Sequence, residues 1–186
     1  MLVLAPRSVS EVARDIRQVG GILGVGDRGA ALAAELEAAL APPPDDGLPR
    51  PRILVEWWPK PCIAAGTRSW VQDLLVAAGA DNALDDRAVE SAPLERAEAA
   101  ALAPDAVVVS WCGVPRSHYR TELVLKRPEW ADVPAVRTGQ VHPISEAYLG
   151  RPGPRLIEGL ARLRAVVAAV RAGTPPVHGP SGAAKG

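Results

Sequence analysis

Apolar positions along this chain fall into helical spacing near its start and into alternating short strands and helices later. Leu2 to Leu4 reads as a brief strand stopped by Pro6. Ser8-x-x-Glu11 is a capping-box pattern, in which a hydroxyl and a carboxylate satisfy helix-start amides. It opens a predicted helix with Val9, Val12, Ile16 and Val19 on one face, closed by Gly20-Gly21. Asp27 is placed to cap a second helix carrying Leu32, Leu36 and Leu40, which stops at Pro42-Pro43-Pro44. The stretch from Ala41 to Pro51 is Pro-rich and acidic, an exposed loop.

From Arg52 onward strands and helices alternate. Ile53 to Val55 predicts a buried strand, and Ser69 opens a helix with Val71, Leu74, Leu75 and Ala78 that stops at Gly79. An Ala-rich helix follows from about Leu94 to Leu102. Ala106 to Val109 is an unbroken apolar strand, the signature of a sheet covered on both faces. Tyr119 to Leu125 predicts a helix, Val141 to Ile144 a strand, and Arg155 to Val170 a long helix with Leu156, Leu160, Leu163, Val167 and Val170 inward. This order gives the α/β class, a parallel sheet covered by helices. Ligands of such sheets meet the loops after the strands' carboxyl ends. Those loops are residues 56–66, 110–116 and 145–155.

Composition sharpens what these loops hold. The chain of 186 residues has no Phe, two Tyr and five Trp. Trp57, Trp58 and Trp111 nonetheless fall just past two of the strands, and Tyr148 past the third. Aromatic faces bury much area while freezing few rotors, which suits a large, flat or greasy ligand. The alternative for Trp57 and Trp58 is packing under a neighbouring helix. Trp70 and Trp130 read as structural. Formal net charge is zero, so nothing predicts a nucleic-acid partner or a polybasic membrane patch. No apolar run reaches the ~20 residues of a membrane span, so an integral membrane protein is not expected. Met1 to Pro6 lacks the basic and long apolar regions of a secretory signal, which leaves a cytoplasmic location open.

Signals for chemistry are weak, and no enzyme and no resident cofactor are expected. His118, His142 and His178 lack metal-ligand spacing with another His, Cys or carboxylate, so no metal site is predicted. Gly20 to Gly29 lacks the Lys-Ser/Thr of a phosphate loop. Cys62 and Cys112 both follow strands whose loops should converge, which keeps a shared redox site as a rival reading. Arg151 and Arg155, at the start of the last helix, are placed to reach a phosphate or carboxylate; the alternative for Arg155 is to tie two loops together through carbonyls.

Arg52-Ile-Leu-Val-Glu-Trp-Trp-Pro-Lys-Pro, then Gly66-x-x-x-Trp70-Val-x-Asp-Leu-Leu-x-x-Ala-Gly-x-x-Asn82, resembles the second lobe of cobalamin and iron-siderophore (class III) substrate-binding proteins of ABC importers. So do Pro104-Asp105-Ala-Val-Val-Val and Arg151-Pro-Gly-Pro-Arg155-Leu-Ile-x-Gly-Leu, and the cobalamin branch looks nearest. The resemblance implies a two-lobed fold with the ligand clamped between lobes. Residues 1–25 would be a remnant of the N-terminal lobe, most of which has no counterpart here. Residues 26–51 would be a long connecting helix and the Pro-rich loop, 52–172 the C-terminal ligand-binding lobe, and 173–186 a disordered tail.

The resemblance further implies capture of cobalamin or a related corrinoid, haem or siderophore and its delivery to ABC permease subunits, at a periplasmic or cell-surface location. Trp57, Trp58, Cys62 and Ile63 match the loop that approaches the ligand. Tyr148 and Arg155 match a second contact region, Glu146 lies beside the family's acidic contact there, and Trp111 joins them from the strand-end argument. A family Trp near the ligand aligns with Ser91, so that contact is expected to be lost. The family's permease-docking glutamate aligns with Ala97, leaving Glu98 and Glu95 as the nearest candidates for that role, against the alternative of a solvated helix charge. Two further readings stand beside this one: a cytosolic corrinoid or metal-cofactor binder without a transporter, and a non-functional remnant whose uncovered apolar surface would make it aggregate.

Overall fold

The computed structural model describes residues 2–176. Its sheet forms where the sequence is most continuously apolar. Strand β1 (Arg52–Pro59) lies at the centre, flanked by β5 (Ala106–Val109) and then β6 (Val141–Pro143), all parallel. On the other side β2 (Cys62–Ala65) folds back antiparallel on the end of β1, and β4 (Ser91–Leu94) continues antiparallel to β2. The short β3 (Asp81–Asn82) pairs parallel with the start of β1. The order is therefore β4-β2-β1-β5-β6. The α/β layering is as expected, but the sheet is mixed. Residues 56–66, expected as a loop, form a β-hairpin instead.

Strand side chains alternate between two covering layers, as the two-residue period requires. Ile53, Val55, Ala106 and Val108 face one layer, where α3 (Trp70–Ala78) and α8 (Leu156–Ala172) pack. Leu54, Val107 and Val109 face the other, with Ala99 of α4 (Arg96–Ala101), Val124 of α5 (Glu122–Leu125), Ala135 of α6 (Pro134–Arg137) and Trp130. Burying one such Val or Leu side chain contributes about 1.5–3 kcal/mol, so four consecutive buried residues fix β5 despite its length. Helix α3 is bracketed as its sequence predicts: Ser69 is extended before it and Gly79 takes the left-handed conformation after it (φ 83°). The expected helix at 119–125 shortens to α5, preceded by a single 3₁₀ turn at Arg116–His118.

Ahead of the sheet, α1 (Val9–Ile22) and α2 (Gly26–Ala39) form an antiparallel hairpin. Ser8 accepts from the Glu11 amide as the capping pattern predicts. Val9, Val12 and Leu36 join the same core as α3 and α8, so the hairpin packs on the lobe rather than standing apart. Two expectations fail here. Residues 2–7 form no strand and pair with none of the described strands. Gly20-Gly21 does not end α1, since a Cβ on Gly20 would come within 3.0 Å of the Gly29 Cα. Gly20 is a close-approach position between two helices rather than a stop. Of the tail expected at 173–186, Gly173 closes α8 in a left-handed conformation, and residues 177–186 lie outside those described.

Candidate functional site

Because β1, β5 and β6 are parallel, the segments that follow them emerge along one edge. There they are stitched together. The Cys112 amide donates to the Trp57 carbonyl (3.1 Å), and the Gly113 amide donates to Glu146 Oε2 (2.9 Å). Tyr119 donates its hydroxyl proton to the Trp111 carbonyl (2.9 Å) and accepts from the Glu146 amide (3.1 Å). Glu146 opens the short helix α7 (Glu146–Leu149) and also receives Arg151 (2.9 Å). The Gly113 amide, and then Arg151, hold its carboxyl below the usual carboxylate range.

A cleft of about 410 Å³ opens on this edge, walled by Trp57, Trp58, Ile63, Trp70 and Cys112, with Arg68, Glu90 and Ser91 at its polar border. That size is within the ~300–1,000 Å³ usual for small-molecule sites. Two consecutive strand residues ordinarily point to opposite faces, yet Trp57 and Trp58 both line it. The reason is a β-bulge. Glu56 pairs with Ala64 while Trp58 pairs with Ile63, so two steps on β1 match one on β2. The extra residue inverts the alternation and brings Trp58 onto the face already occupied by Trp57. Trp58 remains 39% exposed, its ring available to a guest.

The other expected contacts are placed differently. Trp111 is sunk below the rim, 5% exposed, with its indole N–H donated to Glu56 Oε1 (2.9 Å). Cys62 lies on the opposite sheet face from Cys112, buried against Glu56 Oε2 (3.4 Å). Burial, and then the Glu56 charge, pushes the Cys62 thiol up to about 12. The Cys112 thiol is also raised, by desolvation first and Glu146 second. The two cysteines border separate cavities, so they do not form the shared redox pair considered above. Tyr148 turns from the cleft to receive the Arg162 guanidinium over its ring at 4.5 Å, and Arg155 is exposed at the foot of α8. Glu146 positions the loop beneath Cys112 rather than facing the cavity. Glu95 and Glu98 form a reciprocal capping box at the start of α4, and Glu98 is also paired with Arg87. Ser91 does reach the cleft, as a small residue where the resemblance puts a tryptophan.

Two features were missed. Trp70, read as structural, walls the cleft while its indole N–H donates to the Leu149 carbonyl (2.7 Å), and so ties α3 to α7. Below the rim, Glu56 (0% exposed) and Arg127 (5% exposed) form a buried two-pronged ion pair at 2.7 and 2.9 Å. The Arg127 guanidinium also lies 4.5 Å over the Trp130 ring. The signal for this pair was a single carboxylate inside the apolar run from Ile53 to Trp58, which a buried strand tolerates only with a partner.

Comparison with known proteins agrees with this architecture. The haem-binding protein RhuT from Roseiflexus sp. RS-1 superposes with a TM-score of 0.72 at 30% identity, over 89% of this chain and 65% of that one. The periplasmic haem-binding protein BhuT, solved with two haems, gives 0.71 at 27%, over 89% and 65%. The vitamin B12-binding protein BtuF of Vibrio cholerae gives 0.69 at 16% identity, over 90% and 64%, a likeness of fold alone. This chain thus spans a little under two thirds of the length of each of these. No curated protein matches the sequence. Residues 1–148, from the helical hairpin through β6 to α7, match the periplasmic binding protein family, and the chain belongs to that family.

Proposed function

We propose that this chain is the ligand-capturing lobe of an ABC-importer substrate-binding component, and that its ligand is a broad, largely apolar metal macrocycle. Haem comes first and a corrinoid such as cobalamin second, with a siderophore chelate as a third candidate. The observation that carries this reading is the set of three indoles, Trp57, Trp58 and Trp70, around one open cleft at the carboxyl edge of the parallel strands. Their faces supply non-polar contact area, while Arg68 and Ser91 at the border supply the few polar contacts that orient a guest. Two haem-binding relatives at 27% and 30% identity favour haem over cobalamin. The mechanism is capture and release without bond chemistry, in keeping with a family of binding proteins.

Delivery would go to permease subunits outside the cytoplasm. Among the described residues no helix is long and apolar enough to cross a membrane. The exposed first turn of α4, where Ala97 and Glu95 lie beside the capped Glu98, is the proposed docking edge.

The test is titration with haem and, in parallel, cobalamin, followed by visible absorbance and tryptophan quenching. Trp57→Ala plus Trp58→Ala should weaken haem binding at least tenfold, which corresponds to about 1.4 kcal/mol. Unchanged affinity in that variant, with the fold intact, would overturn the aromatic cradle.

A further inference from the structure

We infer that Arg68 is the specificity residue of the tryptophan cleft and selects a flat apolar ring that carries a carboxylate arm. The inference rests on reading the cleft as a macrocycle site, and it adds the charge that the guest must bring. Two charged side chains, Arg68 and Glu90, border the cleft. Glu90 is neutralised, because Arg7 meets its Oε1 at 2.7 Å. Arg68 is exposed, and among the described residues its guanidinium takes part in no hydrogen bond or ion pair. The mouth therefore keeps one uncompensated positive charge beside three indoles.

The base of Arg68 is held still although its tip is free. Residues 66–69 are laced to 87–90. The Gly66 amide donates to the Glu90 carbonyl (3.0 Å), the Arg68 amide to the Val89 carbonyl (2.9 Å), and Thr67 Oγ1 to the Arg87 carbonyl (3.0 Å). Gly66 packs so closely there that a Cβ would collide with the Val89 carbonyl. A guanidinium on a fixed backbone loses less freedom on meeting a ligand, and its planar fork matches a carboxylate with two parallel bonds. Charge then discriminates between guests. A ring seated on Trp57, Trp58 and Trp70 also covers the mouth and takes water from Arg68. A guest without an anion leaves that charge partly dry and unpaired, which costs free energy. A carboxylate arm offsets the cost, while a cationic arm adds repulsion. A ring edged only with neutral amides lacks the matching group.

Mesoporphyrin IX and its dimethyl ester share one ring and differ in whether the arms are charged. Titrating both against the whole chain, followed by tryptophan quenching, isolates this contact. The wild type should bind the acid about tenfold more tightly than the ester. Arg68→Gln should bring that ratio close to one with unchanged far-UV circular dichroism, and Arg68→Lys should keep part of it. Raised salt should shrink the ratio in the wild type. Trp57→Ala plus Trp58→Ala should instead weaken both rings. Equal binding of acid and ester by the wild type, or a ratio that survives Arg68→Gln, would overturn the inference and leave the aromatic cradle standing. Failure of the wild type to bind either ring would remove the cradle, and the inference with it.

Discussion

Arg127→Met is the substitution that most directly probes how the cleft is held. Methionine keeps most of the apolar stem but removes the charge. The Glu56 carboxylate, 0% exposed, would then keep the Trp111 indole N–H at 2.9 Å and the long Cys62 contact at 3.4 Å but lose both guanidinium bonds. Removing one partner of a buried pair costs about 3–5 kcal/mol, because the other charge stays dry and uncompensated. Loss of the guanidinium over Trp130 adds about 0.5–2 kcal/mol. Against a typical domain stability of about 5–15 kcal/mol this is a large fraction. Replacing both residues, Glu56→Leu with Arg127→Met, removes the stranded charge. It leaves the Trp111 N–H unsatisfied, at about 1–3 kcal/mol, along with the weak thiol donor of Cys62. The double variant should therefore be more stable than Arg127→Met alone. Urea unfolding followed by far-UV circular dichroism gives all the midpoints needed for the cycle. A loss under about 1 kcal/mol in Arg127→Met, or additive losses in the double variant, would refute the reasoning.

Three further outcomes are expected. With its pKa near 12, Cys62 should resist iodoacetamide at pH 8 until the chain unfolds, whereas the exposed Cys112 should react first in the native protein, faster as pH rises; mass spectrometry of the labelled peptides decides. Glu146 is held below its ordinary pKa by the Gly113 amide and Arg151, so its contribution is present above the unfolded value and lost as pH falls below the usual glutamate range. Glu146→Gln should flatten that acid limb of thermal stability, and an unchanged limb would count against it. Gly159→Ala should destabilise by about 1–3 kcal/mol, although alanine is the better helix former by about 1 kcal/mol. A Cβ there would collide with the Tyr148 carbonyl, and a rise in melting temperature would contradict that packing.

The elements best read in advance were those whose burial pattern is local. The uninterrupted Ala106–Val109 run, the Ser69 and Gly79 brackets of α3, and the stripe along α8 each carry their structure in a few adjacent side chains. What was hidden depends on partners distant in sequence. Ser91-Ala-Pro-Leu has little strand character of its own and becomes β4 only because β2 presents an open edge. Glu56 and Arg127 lie 71 residues apart, and nothing local announces the second. Position after a strand puts Trp57, Trp58 and Cys112 at the edge where the cleft opens. It does not say which way each side chain turns: Trp111 is sunk against Glu56, Cys62 lies on the opposite sheet face, and Tyr148 stacks under Arg162.

The bulge at Trp57 makes the cleft a matter of residue count as much as of residue type. Deleting one position from that irregularity would leave every aromatic in the chain and still swing Trp58 through the sheet, toward the layer that houses Arg127. Shortening the strand by a single step is thus a way to blind the site while conserving its composition, and a lengthened hairpin would re-aim it just as abruptly.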